Sequence, residues 1–330
     1  MNEYKPILTE NEHKANNDML IMFVPLLVMA SYLYGARPLI LSVIALLTAH
    51  LCDRVTSVLH GRMLDLSDNT SLVIAGIITM MMPASVPYYV LIISICCAVI
   101  LAKEAFGGYG NYPFNPAAVG YVLAAVCWPD DVLKFPQPFA QLSLWGAQTV
   151  PLTTGNSYTL KVGGLPNIDL TKLVLGNYAG PMGATCLLVI AACAVYLWAR
   201  RRFALTLSLS FIGACAAVAY LFPRLGEVGL GWPWENVAMR LSVLKYELSS
   251  GMLLFAAVFL INEPGTAPRR QATQLLYGVL LGITTMMYHY FGTYEIGVCF
   301  AVIVMNAVSG ALDRVVNRVL GEKQEVTLHD

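Results

Sequence analysis

Charge is the scarcest commodity in this sequence. Only 12% of its 330 residues are Asp, Glu, Lys or Arg, against about 25% in soluble domains. The 20 basic residues cancel the 20 acidic ones, so there is no basic surface to attract nucleic acid. No Gly-rich phosphate loop, H-E-x-x-H pair or Ser-His-Asp set is present, which leaves soluble-type NTPases and hydrolases unsupported. The eight cysteines form no C-x-x-C pair. All lie in or beside apolar runs and read as small buried hydrophobes. A cleavable leader is not expected either. Residues 1–18 are polar, and the apolar run from Met19 lacks a small-residue cleavage site and leads into further runs.

What the chain has is hydrophobicity: 57% apolar residues and a mean hydropathy of +0.64. The fold class expected is an all-α integral membrane protein, with about ten transmembrane helices in two inverted five-helix repeats with broken helices. The spans are read at 19–35, 38–52, 70–85, 87–104, 116–128, 183–199, 203–222, 250–263, 273–290 and 294–312. The second, fifth and eighth are short, as in half-helices that line a site. This gives a cytoplasmic segment 1–18 and a single membrane domain 19–312, followed by a cytoplasmic tail 313–330. Within the domain, repeat one covers 19–128, an outer loop 129–182 and repeat two 183–312. With both ends inside, thirteen Lys and Arg face the cytoplasm and seven face outward, and the clusters Arg200-Arg201-Arg202 and Arg269-Arg270 are inside. Loop 129–182, proline-rich but partly apolar, is expected to fold back over the membrane face. A second outer loop, 223–249, carries Trp232 and Trp234 at the interface.

The repeat is read from two pairs of short matches. Pro83-Ala84-Ser85-Val86-Pro87 parallels Pro264-Gly265-Thr266-Ala267-Pro268, and Phe106-Gly107-Gly108-Tyr109 parallels Phe291-Gly292-Thr293-Tyr294. Five spans separate the copies, an odd number, so the halves would insert in opposite directions. Chance similarity of proline-rich turns is the alternative.

Two stretches could hold a ligand. In Asn177-Tyr178-Ala179-Gly180-Pro181-Met182-Gly183-Ala184-Thr185, a hydroxyl follows two small residues where a loop becomes an apolar helix. A helix N-terminus favours a phosphate, though a threonine there serves equally well as a cap. In Gly107-Gly108-Tyr109-Gly110-Asn111-Tyr112-Pro113-Phe114-Asn115-Pro116, glycines allow close backbone approach, and Asn111 and Asn115 offer amides beside stackable rings. The same residues would also make a tight turn into the next span. Among ionisable residues near spans, Lys103, Glu104, Glu263, His50, Asp53 and His289 are best read as interfacial or paired with a neighbour.

Gly108-x-Gly110-Asn111-x-x-Phe114-Asn115-Pro116-Ala117, Asn262-Glu263-Pro264 and Gly180-x-Met182-Gly183-x-Thr185 together resemble the family of the Rnf complex D subunit. That family is similar to the B subunit of the sodium-pumping NADH:quinone oxidoreductase, and the resemblance covers essentially the whole chain. It implies FMN in phosphoester linkage to Thr185, flanked by Gly183 and Ala184 and attached by a flavin transferase on the extracytoplasmic side. It also implies a second, non-covalent flavin, riboflavin, near Asn111 and Asn115. Pro181 and Ala184 depart from the family pattern, which often has Ser and Glu there, and this touches recognition by the transferase.

The activity implied is that of an electron-carrier component in a ferredoxin:NAD+ oxidoreductase of the bacterial cytoplasmic membrane, coupled to Na+ or H+ export. Its partners would be the Rnf G subunit nearest, with the A, B, C and E subunits, in the lipid bilayer. No side chain is expected to act as a catalytic acid or base and no metal ligand is expected. Two other readings stand beside it. A solute transporter would share the inverted-repeat architecture. The B subunit of the quinone reductase itself usually has a longer N-terminal region than the 18 residues here.

Overall fold

The computed structural model describes residues 10–59, 68–145, 148, 150–155, 159–160, 162–201, 204–223, 232, 234–268, 270–292 and 296–320. Apolar runs become helices because hydrocarbon offers no partner for a free backbone group. Helices α1 (Glu10–Tyr34) and α2 (Arg37–Leu59) form an antiparallel pair joined at Gly35. They are followed by α3 (Thr70–Met81) and α4 (Tyr88–Cys96), the latter running on through a π-helical segment, Cys97–Lys103. Next comes α5 (Pro116–Cys127), where Asn115 caps the Ala118 N–H at 3.1 Å and proline takes the first helical position.

Between α5 and the second half lie α6 (Pro129–Val132), a two-stranded antiparallel ladder of β1 (Lys134–Pro136) and β2 (Leu152–Thr154), and α7 (Leu170–Leu175). This segment folds back onto the helix ends: the Phe139 N–H donates to the Leu33 carbonyl at 2.7 Å. Then come α8 (Leu187–Ala199), α9 (Leu205–Leu221), α10 (Val237–Ser249) and α11 (Leu253–Phe255, continued by the π-helical Ala256–Leu260). Helices α12 (Gln271–Phe291) and α13 (Gly297–Leu320) complete the fold.

Among the described residues, four helical stretches are long and apolar enough to cross a membrane, within α1, α2, α4 with its extension, and α13. Helix α10 with α11 forms a fifth candidate, bent by 59°. Helices α3, α5, α8 and α9 are apolar but shorter. The chain is therefore a mostly helical protein of membrane type with broken helices. One expectation is corrected. Residues 237–249, read as outer loop, are helix α10. Its Arg240, Lys245 and Glu247 lower the apparent hydropathy, but Arg240 and Glu247 are buried.

The two Pro-rich motifs occupy the same kind of joint, one between α3 and α4 and the other between α11 and α12. Phe106-Gly107 ends the α4 extension and Phe291-Gly292 ends α12, while Thr293 and Tyr294 lie outside the described residues. So do Lys5, Arg62, Lys161, Arg202, Arg224, Arg269 and Lys323, which entered the charge count. Among the described cations, Arg37 and Arg240 are not loop charges at all, being 2% and 0% exposed.

The second half is held by α9 against α12. A Cβ at Gly278 would fall 2.0 Å from Ser210 Oγ, and one at Gly282 would fall 2.7 Å from Ala214 Cβ. Glycines four apart let the two backbones meet, as in membrane helix pairs generally.

Arg37 fixes the first break. Its Nε donates to the Ala84 carbonyl at 2.8 Å and its Nη2 to those of Ser85 and Val86, while Nη1 reaches Ser143 and Leu144. One guanidinium thus satisfies the Pro83–Pro87 turn and ties the outer segment to it. Arg37→Leu is expected to cost roughly 3 kcal/mol or more by stranding these carbonyls. Arg37→Lys should recover less than half of that, since an ammonium lacks the planar fork. Thermal melting in detergent reads both.

Candidate functional site

Thr185 sits where three segments meet. The loop before it, Ala179–Ala184, packs on the broken end of α3. The Met182 N–H donates to the Met82 carbonyl at 3.0 Å and the Gly183 N–H to the Met80 carbonyl at 2.8 Å. Glycine is required at 183 because a Cβ there would lie 2.4 Å from Met80 Cβ. From the other side comes α7, which ends in Gly176 at φ +80°. A side chain at that glycine would be strained, and its Cβ would meet the Thr185–Cys186 backbone at 2.9 Å. Tyr34 from α1 reaches the Gly180 carbonyl at 3.5 Å, and the Tyr178 hydroxyl donates to the Ser249 carbonyl at 3.1 Å.

The result is a threonine only 1% exposed, whose Oγ1 is buried without a hydrogen-bond partner. It is not a helix cap. Helix α8 begins at Leu187, its N-cap is Cys186, and no side chain caps it. The common structural use of threonine at a helix start is therefore absent here. An orphaned buried hydroxyl costs about 1–3 kcal/mol; Thr273 and Thr285 of α12 share this state, whereas Thr185 lies in a loop. Ala184 is enclosed as well, at 1% exposure.

Asn111 and Asn115 do not converge on one ligand. Asn111 is exposed, while Asn115 is fully buried with both ends of its amide engaged. Its Nδ2 donates to the Leu260 carbonyl at 2.9 Å and its oxygen caps α5. The Asn115 N–H donates to the Asn306 amide oxygen at 2.8 Å, with the amide oriented to satisfy Tyr277 too. Asn115 thus fastens the start of α5 to α11 and α13. Asn262 does the same within the second half, donating to Ser208 Oγ at 2.9 Å and accepting the Ala204 N–H at 3.0 Å.

Two polar clusters escaped the sequence reading as clusters. Tyr112 makes a short hydrogen bond to Glu263, whose other oxygen accepts from Thr266 Oγ1 at 2.9 Å. The Gly107–Asn115 turn is thereby joined to the second proline break. Lys103 is 1% exposed with its ammonium 3.2 Å from Asp68, 3.4 Å from Glu104 and 3.5 Å from Asp53. The pairing expected for Lys103, Glu104 and Asp53 is what the structure contains, with Asp68 added. Burial alone would raise the Asp68 carboxyl, but Lys103 and the hydroxyl and N–H of Thr70 hold it below its ordinary value. The signal in the sequence was a lysine inside an apolar run, which is rare without a partner.

Of the cysteines, Cys127 is exposed and Cys96 partly so; the other six are buried. Among the described residues no group of three or more His, Cys, Asp and Glu could hold a metal.

The fold defines a mostly helical, membrane-type protein with proline-broken helices. The chain belongs to the NQR2, RnfD, RnfE family, whose model matches residues 7–321. It is similar to the D subunit of the ion-translocating oxidoreductase complex of Pseudomonas aeruginosa (strain UCBPP-PA14), 27% identical over 88% of this chain and 86% of the relative. The protein of that name from Yersinia pseudotuberculosis serotype I is 25% identical over 96% and 97% of the two chains. That of Tolumonas auensis is 25% identical over 89% and 90%.

Gly183→Ala should undock the loop from α3. Amide hydrogen exchange at Met182 and Gly183 is expected to speed by more than about tenfold, while that of the α9–α12 pair is unchanged. Retained protection at both amides would show that the loop is held elsewhere.

Proposed function

We propose that this chain is the D subunit of an Rnf-type ion-translocating oxidoreductase complex in a bacterial cytoplasmic membrane. In this reading it carries electrons between ferredoxin and NAD+, coupled to Na+ or H+ export, with FMN in phosphoester linkage to Thr185. The G subunit would be its nearest neighbour, with the A, B, C and E subunits completing the assembly, and a flavin transferase would act once during maturation.

The observation that carries the reading is the buried Thr185 hydroxyl without a partner, in a chain of this family. An ester oxygen has no proton to donate, so modification removes the donor that finds no acceptor here. When bound, the flavin supplies one- and two-electron chemistry that no side chain offers. The chain's own residues place and enclose it. Gly180 leaves room beside Thr185, where a Cβ would fall 2.8 Å from Thr185 Cγ2, Gly183 lets the loop dock against Met80, and the Met80 and Met82 carbonyls anchor the loop next to Ala184 and Thr185.

The enclosed loop also sets a condition. With Thr185 1% exposed, the segment Ala179–Ala184 has to lift from α3 for any bulky group to reach the hydroxyl. Lifting breaks two backbone hydrogen bonds to α3, each worth about 1 kcal/mol, and exposes the buried Ala179, Met182 and Ala184 side chains, so attachment has to precede final packing of the loop. Contact with a second, non-covalent flavin is proposed for Asn111 alone, since Asn115 is occupied in joining α5 to α11 and α13.

Mass spectrometry of the peptide containing Thr185, from cells that express the transferase, is expected to show one added FMN. Thr185→Ala should abolish the fluorescent band on a denaturing gel and Thr185→Ser should keep it. An unmodified peptide beside an active transferase would remove the electron-carrier reading and favour a solute transporter built on the same broken helices.

A further inference from the structure

Helices α8 and α9 are consecutive in the chain, yet they hardly touch. Between them runs a groove of about 370 Å³. One wall is Ile190, Ala194 and Trp198, spaced four apart on α8. Leu209 of α9 faces them, and Leu254 and Val258 of α11 form the floor. The lining has no exposed polar surface. Even Ser208 is turned inward, its Oγ donating to the Ala257 carbonyl at 2.6 Å and accepting from Asn262.

Something apolar belongs in this gap, and its size says what. A helix about 10 Å across running beside the 13 residues of α8 would displace on the order of 1,500 Å³, several times the space available. A single hydrocarbon chain is narrow enough. The Trp198 end of the groove is basic: Trp198 is followed within three residues by Arg200 and Arg201, both exposed. Arg200 gives one nitrogen to Asp18 at 3.4 Å and leaves the rest of its guanidinium outward. Basic residues at the membrane surface attract anionic headgroups, and tryptophan suits the headgroup level.

We propose that this groove is a binding site for an anionic phospholipid, with one acyl chain between α8 and α9 and the phosphate at Arg200 and Arg201. The headgroup end lies at the opposite end of α8 from Thr185, although the groove reaches Leu187, two residues from it; the proposal does not depend on the redox reading. By wedging apart two helices that lack direct packing, the lipid completes the second half of the fold.

Native mass spectrometry of the full chain in detergent, titrated with phosphatidylglycerol or phosphatidylcholine, tests it. Phosphatidylglycerol is expected to bind more tightly, and R200Q/R201Q to weaken it roughly tenfold with little change for phosphatidylcholine. Ala194→Phe should fill the groove and weaken both lipids; Leu209→Phe serves the same end if the first variant does not fold. Equal binding of the two lipids by the unaltered chain would overturn the proposal, as would unchanged binding to a folded groove-filled variant. Crosslinking of Ala194→Cys to another protein of the complex in membranes would overturn it in favour of a protein occupant.

Discussion

A helix that breaks inside an apolar layer exposes carbonyls and N–H groups that only protein can satisfy, and this constraint organises the molecule. The break after α3 is met by the guanidinium donors of Arg37 and by the N–H groups of Met182 and Gly183. The break after α11 is met by Asn115 and Asn262, whose amides reach Leu260 and Ala257. Most of these repair groups come from a distant part of the sequence. The breaks therefore act as the joints through which the two halves and the outer segment are fastened.

Thr185 shares a buried, unpartnered hydroxyl with Thr273 and Thr285, but those two lie within α12 while Thr185 lies in a loop just before α8. The loop around it is built to tight tolerance. Gly176, Gly180 and Gly183 are each pressed against a neighbour, and two backbone bonds hold it to α3. Ordinary packing has an easy remedy for an idle hydroxyl in such a place, since valine has nearly the same shape and no polar atom.

Much of the fold was legible, and the parts that were not share a cause. The apolar runs and the start of α5 at Pro116 followed from local rules: period, caps and proline position. Helix α10 was hidden because buried ions read as solvent-facing charge. Nothing in the sequence around Arg240 says that the Trp232, Glu235, Tyr220 and Leu221 carbonyls converge on it. Arg37 misled in the same way. It is a cation next to a proline at a helix start, and only its long-range acceptors show it to be internal. At the candidate site the sequence reading started the span at 183, whereas α8 begins at Leu187 with Cys186 as its N-cap, which leaves Thr185 in the loop. The separate duties of Asn111 and Asn115 were illegible because they depend on α11 and α13, more than a hundred residues away.

The buried ions carry the argument one step further. Lys103 is surrounded by three carboxylates, whereas Arg37 is held by carbonyls and the face of Tyr88, 4.8 Å away. The first arrangement concentrates negative charge at one end of α3 and α4, near Thr70 and Lys103. The second leaves positive charge at the opposite end, at the turn between the same two helices. The loop bearing Thr185 docks at this second end, through Met80 and Met82. Charge is poorly screened where water is excluded, so the two ends of this helix pair differ in polarity. Thr185 thus belongs to the loop that meets the Arg37 end of α3 and α4 and not the Lys103 end.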